Sequence, residues 1–242
     1  MSAVLTSALL EIKGLSAGYG EVPVLRGIDL VIHPGEIVTL VGSNGAGKTT
    51  LLRAVSRIIN GSGTLRFDGQ DISHATPEQV FARGLVQVPE GRQLFDRMSV
   101  ENNLRMGTYC RRDKDGIAES FERVYQLFPR LKERCTQIAG SMSGGEQQMC
   151  AIARALMAAP KLLVVDEMSL GLAPVVVDQL LGVLTEIRKQ GITVLLVEQD
   201  VFAAFSVADR GYLMETGQIV REGRVSELSE DPEVQRAYLG VQ

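Results

Sequence analysis

The nine residues Gly42-Ser43-Asn44-Gly45-Ala46-Gly47-Lys48-Thr49-Thr50 narrow what this chain can fold into more than any other segment of it. They fit G-x-x-x-x-G-K-[ST]. They also follow an apolar run, residues 36–41, that reads as a buried strand, and they open an apolar-periodic stretch, residues 49–59, that reads as a helix. In that setting the glycines let a loop wrap around phosphate oxygens with its N–H groups turned inward, and the helix N-terminus adds partial positive charge. Lys48 supplies a full cation, and Thr49 places a hydroxyl where Mg²⁺ can take it as a ligand. A plain glycine turn with an exposed lysine would not need the strand before it or the helix after it. A dinucleotide fingerprint starting at Gly45-Ala46-Gly47 fails, because the third glycine position holds Thr50.

A second apolar run, Leu162-Leu163-Val164-Val165, ends in Asp166-Glu167. This puts two carboxylates at the C-terminal edge of a sheet, where open α/β sheets bind ligands. By strand alternation the two acids face opposite sides and take different roles. Asp166 is expected to hold Mg²⁺, through water, and Glu167 to face an attacking water as general base. Without the phosphate loop upstream, the pair would read equally well as a solvated turn after a core strand.

The rest of the chain fits an α/β protein. Residues 9–32 alternate as strands, and Pro34-Gly35 marks a turn. Residues 63–67 and the turn Asp68-Gly69 form a further strand pair. Helical patterns dominate residues 77–139, with a loop at residues 113–116, and suggest an inserted helical region. A helix over residues 144–158, strands at 162–165 and 193–197, and a helix near 174–190 restore the βα alternation of a parallel sheet. Residues 211–225 read as a hairpin before a short final helix.

Composition closes off other classes. With 25 Lys and Arg against 29 Asp and Glu, the net charge of −4 offers no electrostatic footprint for nucleic acid. Cys110, Cys135 and Cys150 are too widely spaced for a CxxC metal or redox site and suit a reducing compartment. No apolar run approaches the ~20 residues of a spanning helix. The opening MSAVLTSALL lacks the basic start of a secretion signal.

Ser141-Met142-Ser143-Gly144-Gly145-Glu146-Gln147-Gln148 resembles the LSGGQ signature that separates ABC ATPases from other P-loop proteins. The same residues also satisfy a capping box, Ser143 capping a helix and Glu146 reaching back. The resemblance covers nearly the whole chain. It implies the ABC ATPase fold: an α/β P-loop NTPase with a mainly parallel sheet, an antiparallel β subdomain, and an inserted α-helical subdomain over about residues 91–150, all within one domain. It further implies ATP and Mg²⁺ as ligands. Tyr19 would lie against adenine, residues 42–50 would hold the phosphates, and Ser143, Gly144, Gly145 and Glu146 would close over the γ-phosphate bound by a second subunit. Thr49, Asp166 and Glu90 would serve the metal.

Two positions depart from the family pattern. Glu90, in Val88-Pro89-Glu90-Gly91-Arg92, stands where glutamine is usual, with Gln87 two residues too early. Gln199, in Leu196-Val197-Glu198-Gln199, stands where a histidine is usual, and neither His33 nor His74 lies in that motif. Met168 replaces the usual proline. VPEGR, Ser169-Leu170-Gly171-Leu172-Ala173-Pro174 and LVEQ occur together in one subgroup, the F-type ATPase subunit of branched-chain amino-acid importers, which this chain resembles. The resemblance implies Glu167, Lys48, Gln199 and Glu90 as the catalytic set. It implies a second ATPase subunit, a different one being favoured, and two separate membrane permease subunits. A solute-binding protein is an indirect partner, and the location is peripheral, at the cytoplasmic face of the cell membrane. Competing readings are a nucleotide-gated module without turnover, motivated by Glu90 and Gln199, and the ATPase of an amide, urea or lipid transporter. A soluble ABC ATPase of translation or DNA repair is a third, but such proteins usually carry two cassettes or long coiled-coil insertions.

Overall fold

The computed structural model describes residues 7–238; most of the opening MSAVLTSALL segment lies outside them. The chain runs through β1 (Leu10–Tyr19), β2 (Val22–Ile32), β3 (Ile37–Val41), α1 (Lys48–Val55), β4 (Gly61–Phe67), β5 (Gln70–Asp71), α2 (Pro77–Ala82) and β6 (Leu85–Val88). It continues through α3 (Val100–Met106), α4 (Lys114–Leu127), α5 (Pro129–Glu133), α6 (Gly144–Leu156), β7 (Leu162–Asp166) and α7 (Pro174–Lys189). It ends with β8 (Thr193–Glu198), α8 (Val201–Phe205), β9 (Arg210–Glu215), β10 (Gln218–Arg224), α9 (Val225–Glu230) and α10 (Pro232–Tyr238).

Two sheets result. β2-β1-β4-β5 is antiparallel throughout. The other has the order β10-β9-β3-β8-β7-β6, parallel from β9 to β6 with β10 antiparallel at one edge. β3, β7 and β8 are buried along their whole length, which is why they read as continuous Ile, Leu and Val runs and not as alternating ones. Their two faces feed two cores. Val38, Leu40, Val164, Leu195 and Val197 pack with α1 and the antiparallel sheet. Ile37, Val41, Leu163, Val165, Val194 and Leu196 pack with α6, α7 and the helices of residues 100–142. The buried Tyr212 ties the sheets together: its hydroxyl accepts from the Val31 N–H and donates to the Val31 carbonyl, both at 3.0 Å.

Several expectations need correction. The stretch 77–139 is not helical throughout, because residues 85–88 form β6 and pair in parallel with β7, Leu85 opposite Leu162. Four apolar-flavoured residues between two helical patterns carry no period of their own, and only pairing decides them. α1 ends at Val55, four residues short of the expected end, where Arg57 turns left-handed at φ 60°. The expected loop at 113–116 is instead the start of α4, with Asp113 at its N-cap position. A Cβ on Gly116 would lie 2.3 Å from Asp113 Oδ2, so the glycine makes room for the Arg111–Asp113 ion pair. Arg111 also donates to Ser120 Oγ and the Met157 carbonyl. The final helix is two short ones, α9 and α10. No described helix is long and apolar enough to cross a membrane.

Candidate nucleotide site

The glycine-rich loop joins β3 to α1. Gly45 and Gly47 take φ 81° and 110°, left-handed values that a side chain would strain. At Gly42 a Cβ would fall 2.4 Å from the Met214 carbonyl, so the loop's first glycine is required by β9 packing against it. α1 starts on Gly47 with no side-chain cap, and its first N–H groups therefore open toward the loop. Lys48 is only 4% exposed. Its ammonium donates to the Gly42 carbonyl at 2.7 Å and the Ser43 carbonyl at 3.3 Å, and pairs with Glu167 at 3.2 Å.

A cleft of about 330 Å³ opens here, lined by Asn44, Gly45, Gly47, Lys48, Thr49 and Thr50 together with Glu90, Glu167, Gln199, Val24 and Leu170. A neighbouring cleft of about 710 Å³ shares Thr49 and Glu90 and is lined in addition by Asp166. The three residues expected to serve Mg²⁺ therefore meet along one wall, although no cluster of three or more His, Cys, Asp or Glu able to hold an ion exists among the described residues. Mg²⁺ ordinarily takes one or two carboxylates plus phosphate oxygens and water, so this donor set fits it. Asp166 Oδ1 is buried without a hydrogen-bond partner. Burial first, then the charges of Glu167 and Glu90, push the Asp166 carboxyl up to about 7. A cation beside it would favour the ionised carboxylate against both.

Glu167 departs from the sequence expectation in one respect. It is not turned away from Asp166 by strand alternation; it lies one residue past β7 in a left-handed conformation, φ 45°. Such a backbone costs a non-glycine residue ~1–3 kcal/mol and persists where its surroundings over-determine it. Here they do: the Glu167 N–H donates to the Val197 carbonyl at 2.8 Å, Lys48 holds one carboxylate oxygen, and Gln199 Nε2 donates to the other at 2.9 Å. Gln199 thus touches Glu167 directly. Gln87 does not stand in for Glu90, because its side-chain oxygen accepts from Ser56 Oγ at 2.9 Å.

Tyr19, at the end of β1, is 43% exposed and does not line the cleft. It stands beside it, accepting from Arg53 Nη1 at 3.1 Å and hydrogen bonded to the Thr50 side chain. The residues Ser143, Gly144, Gly145 and Glu146 are also absent from the cleft wall. They form the N-terminus of α6, where the capping box is real: Ser143 Oγ accepts from the Glu146 N–H at 3.4 Å and donates to Glu146 Oε2 at 2.9 Å, and the Ser143 N–H donates to Oε2 at 3.0 Å. A Cβ on Gly145 would lie 2.7 Å from Val176 Cγ1, so that glycine has a packing reason, whereas one on Gly144 would meet only the movable end of the Arg92 side chain, at 3.1 Å. Sequence reasoning missed Val24 and Leu170 as wall residues; a strand valine and an exposed leucine in a loop carry no signal of their own.

The sequence pattern of the ABC transporter family matches residues 25–169, more than half of the chain. The chain belongs to the ABC transporter family. The high-affinity branched-chain amino acid transport ATP-binding protein BraG of Pseudomonas aeruginosa is 44% identical over 96% of this chain and 100% of its own length. The lipopolysaccharide export system ATP-binding protein LptB of Escherichia coli is 32% identical, covering 96% of this chain and 98% of its own. A crystal structure of the ADP conformation of an ATP-binding cassette from an ABC transporter superposes with a TM-score of 0.86 at 27% identity, covering 98% of this chain and 100% of the other. This cassette is accordingly an ABC-type ATPase with the α/β fold of that family.

Proposed function

We propose that this ABC-type ATPase powers import of branched-chain, hydrophobic amino acids through two separate permease subunits, working as half of an ATP-sandwich dimer at the cytoplasmic face of the membrane. The observation that carries the catalytic part is the Glu167 carboxylate held between Lys48 and Gln199 at the mouth of the phosphate loop. The transport part rests on the full-length likeness to BraG, whose identity to this chain exceeds that of the lipopolysaccharide exporter's subunit.

The residues divide the work as follows. Gly42 to Thr50 and the α1 N-terminus take the phosphates, Lys48 contributes its cation, and Tyr19 meets the base. Thr49, Asp166 and Glu90 would hold Mg²⁺, which would supply positive charge against the phosphates. Lys48 also pairs with Glu167. Phosphate oxygens compete for the same ammonium, so binding frees the carboxylate to accept a proton from water. Gln199 cannot carry an imidazolium charge, but its amide keeps Glu167 aimed while donating a hydrogen bond. Ser143 and Gly145 would complete the site of the second ATPase subunit. A solute-binding protein outside the membrane would deliver the amino acid to the permeases.

A reading without turnover is less well supported, since Gln199 bonds the carboxylate directly. The test is ATP-driven uptake of labelled leucine into vesicles carrying the assembled transporter, compared with urea and with a lipid substrate. Leucine uptake that requires ATP supports the proposal, and ATP-dependent transport of only one of the others overturns it.

A further inference from the structure

One buried carboxylate in this region has no part in the scheme above. Glu198 closes β8, between Val197 and Gln199, and is 1% exposed. Its Oε1 accepts from the Ser169 N–H at 3.1 Å and its Oε2 accepts from Ser169 Oγ at 2.7 Å. A carboxylate buried against its solvation is retained where donors answer it, and here two of them come from one residue, beside the Gln199 N–H. Ser169 lies two positions after Glu167 and one before Leu170, a wall residue of the nucleotide cleft.

The link closes a clamp. At one end the Glu167 N–H is fixed to the Val197 carbonyl, and at the other Ser169 is fixed twice to Glu198, the very next residue of β8. Between the anchors Met168 is buried at 1% exposure, and Glu167 holds its left-handed φ of 45°. The loop that bears the carboxylate is therefore tied at both ends to the strand whose following residue, Gln199, bonds that carboxylate from the other side.

We infer that Glu198 is a positioning residue for ATP hydrolysis: by gripping Ser169 at two points it holds the 167–170 loop, and with it the Glu167 carboxylate and the Leu170 wall, in register with Gln199. The inference rests on Glu167 acting as the general base. It differs from a generic folding role in what it predicts, because the grip depends on hydrogen-bond geometry and not on charge. A glutamine at 198 keeps both bonds, its oxygen accepting from the Ser169 N–H and its amide donating to Ser169 Oγ. An alanine keeps neither.

The experiment compares Glu198→Ala, Glu198→Gln and Glu167→Gln in the full chain within the assembled transporter. It measures kcat and KM for ATP, normalised to folded protein, and amide hydrogen exchange over residues 167–173. We expect Glu198→Ala to lose on the order of 10²-fold in kcat, the penalty typical of an ångström-scale misplacement of a reacting group, with KM within about twofold. Exchange over the loop should rise, and Glu198→Gln should restore both readouts to near wild type. Wild-type kcat and exchange in Glu198→Ala would overturn the inference, as would a Glu198→Gln variant as impaired as the alanine. Glu167→Gln keeps the two ideas separable: undiminished turnover there removes the general base, whereas its loss beside an active Glu198→Ala removes only the positioning role.

Discussion

Two glycine-bearing helix N-termini in this molecule, those of α1 and α6, are finished in opposite ways. α1 begins on Gly47 with no side-chain cap, beside a lysine that is almost fully buried. α6 begins on an exposed Ser143 in a complete capping box, its Oγ both accepting from the Glu146 N–H and donating to the Glu146 carboxylate. The first end leaves its orphan N–H groups for a ligand within the same chain, so an anion bound to them displaces no side-chain cap. The second end is satisfied while alone. For Ser143 to donate to a phosphate, as proposed above, it would first have to release Glu146, which would make this half of the site conditional on a partner. On that proposal one chain carries a site that is ready and a site that waits.

Four measurements can break or sharpen this contrast. The largest effect belongs to Glu167→Gln: removal of a positioned general base should lower steady-state hydrolysis about 10²- to 10⁴-fold, while equilibrium binding of labelled ATP is retained. Wild-type turnover would remove the catalytic role from the ready half. Next, Lys48→Ala should weaken nucleotide binding by roughly 10- to 100-fold, the loss expected from one charge-assisted contact, read by titration calorimetry. A change in kcat with no change in affinity would show that the open helix end binds phosphate without it.

The third measurement uses pH. The Asp166 carboxyl is raised from an ordinary 3.8 to about 7, so between those values the folded chain holds a proton that the unfolded chain has lost. The stability this supplies is complete below the lower value and disappears as pH rises through the upper one. Nucleotide-free protein should therefore lose stability between about pH 4 and pH 7, by urea midpoint, and Asp166→Asn should flatten that dependence. A parallel slope in the variant would mean that Asp166 is ionised throughout and already compensated. The smallest effect is expected at the waiting half. Ser143→Ala should lower stability by about 1 kcal/mol through the lost cap and leave the isolated chain's ATP affinity unchanged. A fall in that affinity would place Ser143 in its own chain's site and end the contrast.

Legibility in the sequence followed the physics of each element. The phosphate loop, the Asp166-Glu167 edge and the capping box were readable because each is a local pattern whose chemistry fits within a few residues. β3, β7 and β8 were readable because burial on both faces demands unbroken apolar runs. β6 was not, since four residues have no period and acquire strand character only by pairing with β7. The roles of Asp166 and Glu167 were separated for the wrong reason: alternation along a strand predicted opposite faces, whereas a left-handed turn one residue past the strand does the turning. Glu198 offered nothing to read, because its partner Ser169 is 29 residues away.

By itself the sequence determined that this chain binds phosphate on a strand-loop-helix unit and carries two acids at a sheet edge, because glycine conformational freedom, lysine charge and strand burial act over a few bonds. Tertiary structure alone decided which groups touch. Lys48, at the start of the helix that follows β3, and Gln199, just past β8, reach the same carboxylate, and Glu198 reaches the loop beyond it, because parallel pairing aligns the ends of strands that are far apart along the chain.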